Sequence, residues 1–328
     1  MTGEKVQIVR IPIDPANPGQ FFASCGLLEL AGRFWGRAEA WFDDAGRSFC
    51  LNTAAEDQAP LSSLVHRLVE AEMVGALTPE LEAELDQLER EKRDCRKQGR
   101  DLPVEKEQRR KELGTLQRSG AIRIGGPFNL LLDWWQEEGV ASPKTWAGRQ
   151  EVYRIAKAAL VECTQAFNEP NPFDYACVLR APGASPASAE EPTKLASESG
   201  ESAGKVEPFY FDARRGSHAL PLDIGFSPDT LKLTSAAYPA VELLCLVGLQ
   251  RFRPVPIQGT RHFDYCTWKW PLPLVVAPLA AAGVIESAAL ARYRFENAFR
   301  TDQKKHKGFR TARQVYNQTG EETNDRSI

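Results

Sequence analysis

The sequence predicts an α+β fold: mixed helices and antiparallel strands, with a charged helical hairpin inserted and a disordered internal loop. Three observations predict it. Apolar residues recur at helical spacing in some stretches and alternate with polar ones in others. A run dense in both charges, residues 81–118, has the leucine stripe of a helix pair but too little apolar content for a core. Residues 182–205, "PGASPASAEEPTKLASESGESAGK", offer almost nothing to bury.

Taken in order, residues 6–13 alternate through Val6, Ile8, Ile11 and Ile13 and predict a first strand, which Pro15 and Pro18 end. Phe21, Phe22, Cys25, Leu28 and Gly32 predict a helix over 19–33, buried largely on one face. Residues 38–42 and 47–52, separated by Asp43-Asp44-Ala45-Gly46, predict a hairpin. The Leu61, Leu64, Val65, Leu68, Val69 pattern predicts a helix over 60–76. Thr78-Pro79 then caps a charged helix that runs to about Gln98, and after a break at 99–103 a second charged helix runs to Arg118. Eleven Lys and Arg face eight Asp and Glu between Asp86 and Arg118, the mixed pattern of a solvated or partner-docking arm.

A strand is expected over 121–124, a turn at Gly125-Gly126-Pro127, a helix carrying Leu130 to Trp135, and another helix over 147–167. The polar loop divides the chain into an N-terminal α+β region, 1–180, with the hairpin at 78–118, a flexible stretch, 181–206, and a C-terminal region, 207–328, with a basic end. Strand-like residues 175–179 and 207–211 flank the loop and are placed to pair, so it is expected to interrupt one domain. Beyond it come a helix over 238–251, a β-rich stretch over 260–276, and a strand through Tyr293 and Phe295.

With 328 residues, 42% of them hydrophobic, the chain can bury one large core or two modest ones. No uncharged apolar run approaches the roughly 20 residues of a membrane span, and the first ten residues have no signal-peptide apolar region. Seven scattered cysteines, without a CxxC pair, read as reduced thiols of a cytoplasmic protein. A net charge of −3 argues against coating nucleic acid by bulk attraction, so local distribution must carry any such role.

Three stretches are candidates for that role. Asn17 and Gln20 stand at the entry of the first helix, where amide side chains suit base edges, and equally suit a helix cap. Arg214-Arg215-Gly216-Ser217-His218 puts two guanidinium forks, a hydroxyl and an imidazole on a glycine turn, either to grip phosphate or to pair with Asp212 and Asp223. The basic end, with Arg300, Lys304, Lys305, Lys307, Arg310 and Arg313 around Phe309 and one acid, Asp302, fits a nucleic-acid backbone contact. His66, His218, His262 and His306 sit in unrelated settings with no HExxH or GxSxG frame. Nothing predicts a metal or a cofactor.

The segments "NPGQFFASCGLLELAGRFWGRAEAWF", "FYFDARRGSHALPLDIGFSPD", "YPAVELLCLVGLQRFRP" and "FENAFRTDQKKHKGF" resemble, in this order, the compact large subunit of type I-G (formerly I-U) CRISPR effectors, the Csb-three or Cas-eight-u type. The resemblance implies a non-enzymatic component of a crRNA-guided surveillance complex, or Cascade. Its expected partners are the crRNA-bound backbone subunits, target double-stranded DNA whose adjacent motif it helps recognise and whose R-loop it stabilises, and a Cas-three-type helicase-nuclease. The division of labour is physical: base pairing reads sequence while protein reads a short motif and backbone charge. Two other readings are a metal-independent crRNA-processing ribonuclease using His218 with Arg214 or Lys305, and a scaffold that touches only the guide RNA.

Overall fold

The computed structural model describes residues 7–53, 59–137, 142–148, 150–181, 204–216, 236–300 and 306–315. The fold is α+β with antiparallel sheets. The first sheet has the order β1-β3-β2-β9, from β1 (Gln7–Pro12), β2 (Ala38–Phe42), β3 (Ser48–Thr53) and the short β9 (Leu272–Pro273). The expected hairpin forms, with Phe42 opposite Phe49, and β1 then adds to the far side of β3.

A second sheet is built on β10 (Ala289–Phe299), which pairs along one edge with β8 (His262–Trp268), itself paired with β7 (Val255–Pro256). Along its other edge lie two short strands, β11 (Lys307–Phe309) and β12 (Arg313–Val315). The third sheet joins β4 (Met73–Val74), β5 (Ile122–Ile124) and β6 (Leu130–Leu132).

Between these lies a pair of helices, α1 (Pro18–Trp35) and α7 (Pro239–Gly248). The expectation for α1 was burial on one face, but every residue from Pro18 to Ala31 is buried, as is all of α7. Small residues make this possible. A Cβ on Gly26 would lie 2.0 Å from the Leu244 carbonyl oxygen, and one on Gly248 would lie 2.0 Å from that of Phe22, so the two backbones touch where side chains are missing. Buried Glu29 of α1 is held by Arg33 at 2.6 Å and by Arg251, just past α7, at 2.5 Å. A buried carboxylate is tolerable only when paired in this way.

One hydrophobic core takes residues from both sides of the polar stretch, including Phe21, Phe42, Trp134 and Phe173 before it and Phe211, Trp268 and Phe295 after it. Residues 182–203 lie outside the described residues. Their flanks meet: Val206 N donates to Leu179 O at 2.9 Å, and Arg180 bridges Lys205. The expected pairing of 175–179 is otherwise diverted, because Cys177 exchanges bonds with Ala237.

The charged hairpin is present as α3 (Pro79–Lys97) and α4 (Val104–Ser119), capped by Thr78 as expected. Leu85, Leu88 and Leu113 form its own small core, and ion pairs cross between the helices: Lys92–Glu107, Lys106–Glu91, Arg109–Glu84 and Arg110–Glu89. Two expectations are corrected. The helix expected over 60–76 is α2 (Pro60–Glu70), which stops because Ala71 turns extended and Met73 pairs with Ile124. The stretch Leu130 to Trp135 is not a helix: Leu130 and Leu132 face the core as strand β6 while Leu131 is exposed, and only a 3-10 turn at Trp134–Gln136 follows. The helix expected over 147–167 is α5 (Val152–Ala166). The remaining helices are α6 (Ala213–Gly216) and α8 (Ala277–Ala281).

Candidate nucleic-acid interface

Asn17 and Gln20 are buried, with 2% and 4% of their surface exposed. Asn17 is the N-cap of α1: its Oδ1 accepts from Gly19 N at 3.1 Å and from Ala213 N at 3.0 Å, while its Nδ2 donates to Asp212 Oδ1 at 2.9 Å. Gln20 Oε1 accepts from Asp14 N at 2.7 Å. Both amides therefore tie chain to chain, and the base-reading expectation gives way to the helix-cap one. Gly19 is required here because a Cβ would lie 2.4 Å from Phe211 O.

The expected glycine turn at Arg214 is one turn of helix, α6, and Arg214 faces inward. Its Nη2 and Nε reach fully buried Asp212 at 2.8 and 3.0 Å, Nη1 reaches Asp174 at 2.7 Å, and the guanidinium lies 3.6 Å from the centre of the Tyr238 ring. The pairing anticipated with Asp212 is thus present, and a phosphate gripped by Arg214 would have to displace it. Arg215 lies in the backbone of α6, and Ser217 and His218 lie outside the described residues.

Of the basic end, Lys304 and Lys305 lie outside the described residues. Lys307, Arg310 and Arg313 are not on a loose tail: Lys307 N donates to Thr145 O at 2.9 Å, Phe309 N to Tyr210 O at 3.0 Å, Arg310 N to Glu296 O at 3.0 Å and Ala312 N to Ala16 O at 2.7 Å. Phe309, expected among exposed charges, is buried against Phe211 and Phe295. Arg313 is exposed on β12, opposite Arg294.

What gathers around Lys307 comes from distant parts of the chain. Lys307 and Arg261 lie 5.6 and 5.0 Å from the centre of the Phe299 ring, and Lys144 lies 5.2 Å from that of Trp146. Burial pulls the Lys144 ammonium below its usual range and the nearby charge of Lys307 adds to this. Burial does the same to Lys307, helped by Arg261. Two half-buried lysines that depress one another are the electrostatic mark of a place short of negative charge. Arg261 has Glu296 at 3.0 Å and Lys144 has the Ser119 hydroxyl at 3.2 Å, but among the described residues neither lysine has a carboxylate partner.

The polar groups alongside are also short of partners. Lys144, Thr145 and Trp146 run past the β10–β11 hairpin, held by Lys307 N on Thr145 O and by Asn297 Nδ2 on Lys144 O at 3.1 Å. There Thr145 Oγ1, Trp146 Nε1, Asn297 Oδ1 and Arg300 Nε are buried and make no hydrogen bond within the protein. Each buried group left unmet costs about 1–3 kcal/mol. Only Lys307 of this set was a sequence candidate; Lys144, Arg261 and Asn297 carry no local signal.

The described histidines do not converge. His66 lies 3.3 Å from Glu70 on an exposed face of α2, His262 opens β8, and His306 Nδ1 lies 3.0 Å from Gln150 Oε1. Among the described residues no group of three or more His, Cys, Asp or Glu is arranged to hold a metal ion, and no helix is long and apolar enough to cross a membrane. Compared with protein-family models, with curated proteins and with solved structures, the chain matches none.

Proposed function

We propose that this chain is a cytoplasmic, non-catalytic, nucleic-acid-binding subunit of a crRNA-guided CRISPR surveillance complex, the large subunit of the type I-G kind. In that role it assists recognition of the adjacent motif in target DNA, stabilises the R-loop and recruits the Cas-three-type helicase-nuclease.

The observation that carries the binding part of this reading is the cation set of Lys144, Lys307 and Arg261, in which both lysines are depressed by burial and by one another's company. An acidic protein with a local cluster of this kind binds polyanions at one place rather than over its whole surface. The large-subunit part is supported by the way the four segments of the resemblance come together: α1 packs on α7, Asn17 bonds to Asp212, and Phe309 packs on Phe211. The resemblance thus follows the core of one fold.

Co-expression with type I-G backbone subunits and crRNA tests it. The expected result is co-purification of a stable complex in which protein–DNA crosslinks fall near Lys144 and Lys307. A chain that stays out of the complex while remaining folded refutes the reading.

A further inference from the structure

We propose that the junction between residues 144–146 and the β10–β11 hairpin is a binding site for a ribonucleotide, holding its phosphate and a hydroxyl of the neighbouring ribose. The inference rests on the reading of the chain as a nucleic-acid-binding protein, though not on its membership of a surveillance complex.

Hydrogen-bonding capacity supplies the argument. An indole Nε1 can only donate, a threonine hydroxyl donates or accepts, and an arginine Nε only donates. Trp146, Thr145 and Arg300 therefore leave three buried groups able to donate, next to the ammonium groups of Lys144 and Lys307. A set dominated by donors and cations calls for an oxyanion, and phosphate has the oxygens to take several of them at once.

Asn297 narrows the ligand further. Its amide nitrogen is fixed by donation to Lys144 O, so the unmet atom is the oxygen, an acceptor. An acceptor amid donors is satisfied by a ligand that carries a hydroxyl next to its phosphate. A ribonucleotide has one and the corresponding deoxyribonucleotide lacks it, which is how proteins separate RNA from DNA at a single position. The frame needs no rearrangement to hold such a ligand, since backbone bonds already fix Thr145 against Lys307.

The test uses the purified full-length chain, fluorescence anisotropy with a short labelled RNA and with DNA of the same sequence, and competition by adenosine monophosphate and inorganic phosphate. RNA is expected to bind about tenfold tighter than DNA, as one additional hydrogen bond allows. Lys307→Gln and Lys144→Gln are each expected to weaken RNA binding about tenfold through a lost charge-assisted contact. Thr145→Val keeps the shape and removes a hydroxyl that has no partner in the protein. It should weaken RNA binding while the melting temperature stays level or rises, an outcome that a purely structural threonine would not give.

Competition by the monophosphate places the source in a free nucleotide; competition by RNA alone places it in a strand, and either result supports the site. Equal binding of RNA and DNA overturns the proposal. So does unchanged RNA binding by folded Lys307→Gln and Thr145→Val, or a melting temperature lowered by Thr145→Val. Exclusion from the surveillance complex, with RNA binding and its lysine dependence intact, would count against the proposed function and leave this site standing.

Discussion

Replacing Gly26 with alanine puts the contact between α1 and α7 to a direct test. The added carbon would stand 2.0 Å from the Leu244 carbonyl oxygen, whereas real Cβ contacts are essentially never under 3.0 Å, so the helices must part by about 1 Å. Neither helix can tilt away into solvent, because both are buried along the contact. Overpacking of this kind costs about 3 kcal/mol, and replacing glycine within a helix returns about 1 kcal/mol. The net loss of about 2 kcal/mol corresponds to a fall in melting temperature of about 4 °C or more for a chain of this size. Thermal unfolding followed by circular dichroism measures it. Gly32→Ala is the internal control: its new carbon would meet the end of the Leu274 side chain at 2.7 Å, which can swing aside, so its melting temperature should stay within about 2 °C of wild type. If Gly26→Ala melts with Gly32→Ala at the wild-type temperature, the helix contact is not as tight as described.

Arg214→Ala should behave as a stability mutation. It strips the ion-pair partner from fully buried Asp212 and should cost about 3 kcal/mol in a melt, while the salt slope of nucleic-acid binding by the remaining folded protein stays unchanged. In the charged hairpin, Arg110 first and Lys92 second hold the Glu107 carboxyl down at about 2. A folded value below the unfolded one gives stabilisation that is present above the ordinary carboxylate range and lost as pH falls toward 2. Because Glu107 is close to solvent, it amounts to about 1 kcal/mol or less; protease cleavage within the arm should increase in acid and, at neutral pH, in molar salt. Thiol labelling at pH 8 should modify Cys95 first and Cys25, Cys163 and Cys245 only on unfolding, since burial raises the last three well above the usual thiol range; rapid labelling of Cys245 in native protein would contradict the packing of α7.

Where a stretch decides its own structure, the sequence was readable. The hairpin of β2 and β3 declares itself through its turn, and α3 and α4 through leucines and opposite charges a turn apart. The entry to α1 read correctly as a cap, but its partner Asp212 lies 195 residues away and sends no signal to residue 17. The complete burial of α1 was missed because helical periodicity counts Phe21, Phe22, Cys25 and Leu28, while Ala23, Ser24 and Gly26 fill the other faces without registering as apolar. The end of α2 was missed for a related reason: Met73 leaves the helix to pair with Ile124, so residues 50 positions later decide it. The apolar run at residues 130–132 fits helix or strand equally until β5 is beside it. The same holds for the cation cluster: Lys307 stood out in a basic stretch, but Lys144 and Arg261 join it only through the fold.

The partnership of α1 with α7 also sets the order in which the protein can be made. A ribosome finishes α1 roughly 200 residues before it reaches Pro239, which at 5–20 residues per second is a delay of about 10 to 40 s. Throughout that interval the most apolar helix of the N-terminal half has nothing to lie on, and the newly made chain resembles a chaperone client more than a folded domain. Fragments ending before residue 239 inherit the same condition permanently. A split version of the protein should therefore be made as two halves expressed together, so that the second supplies the surface on which the first completes its fold.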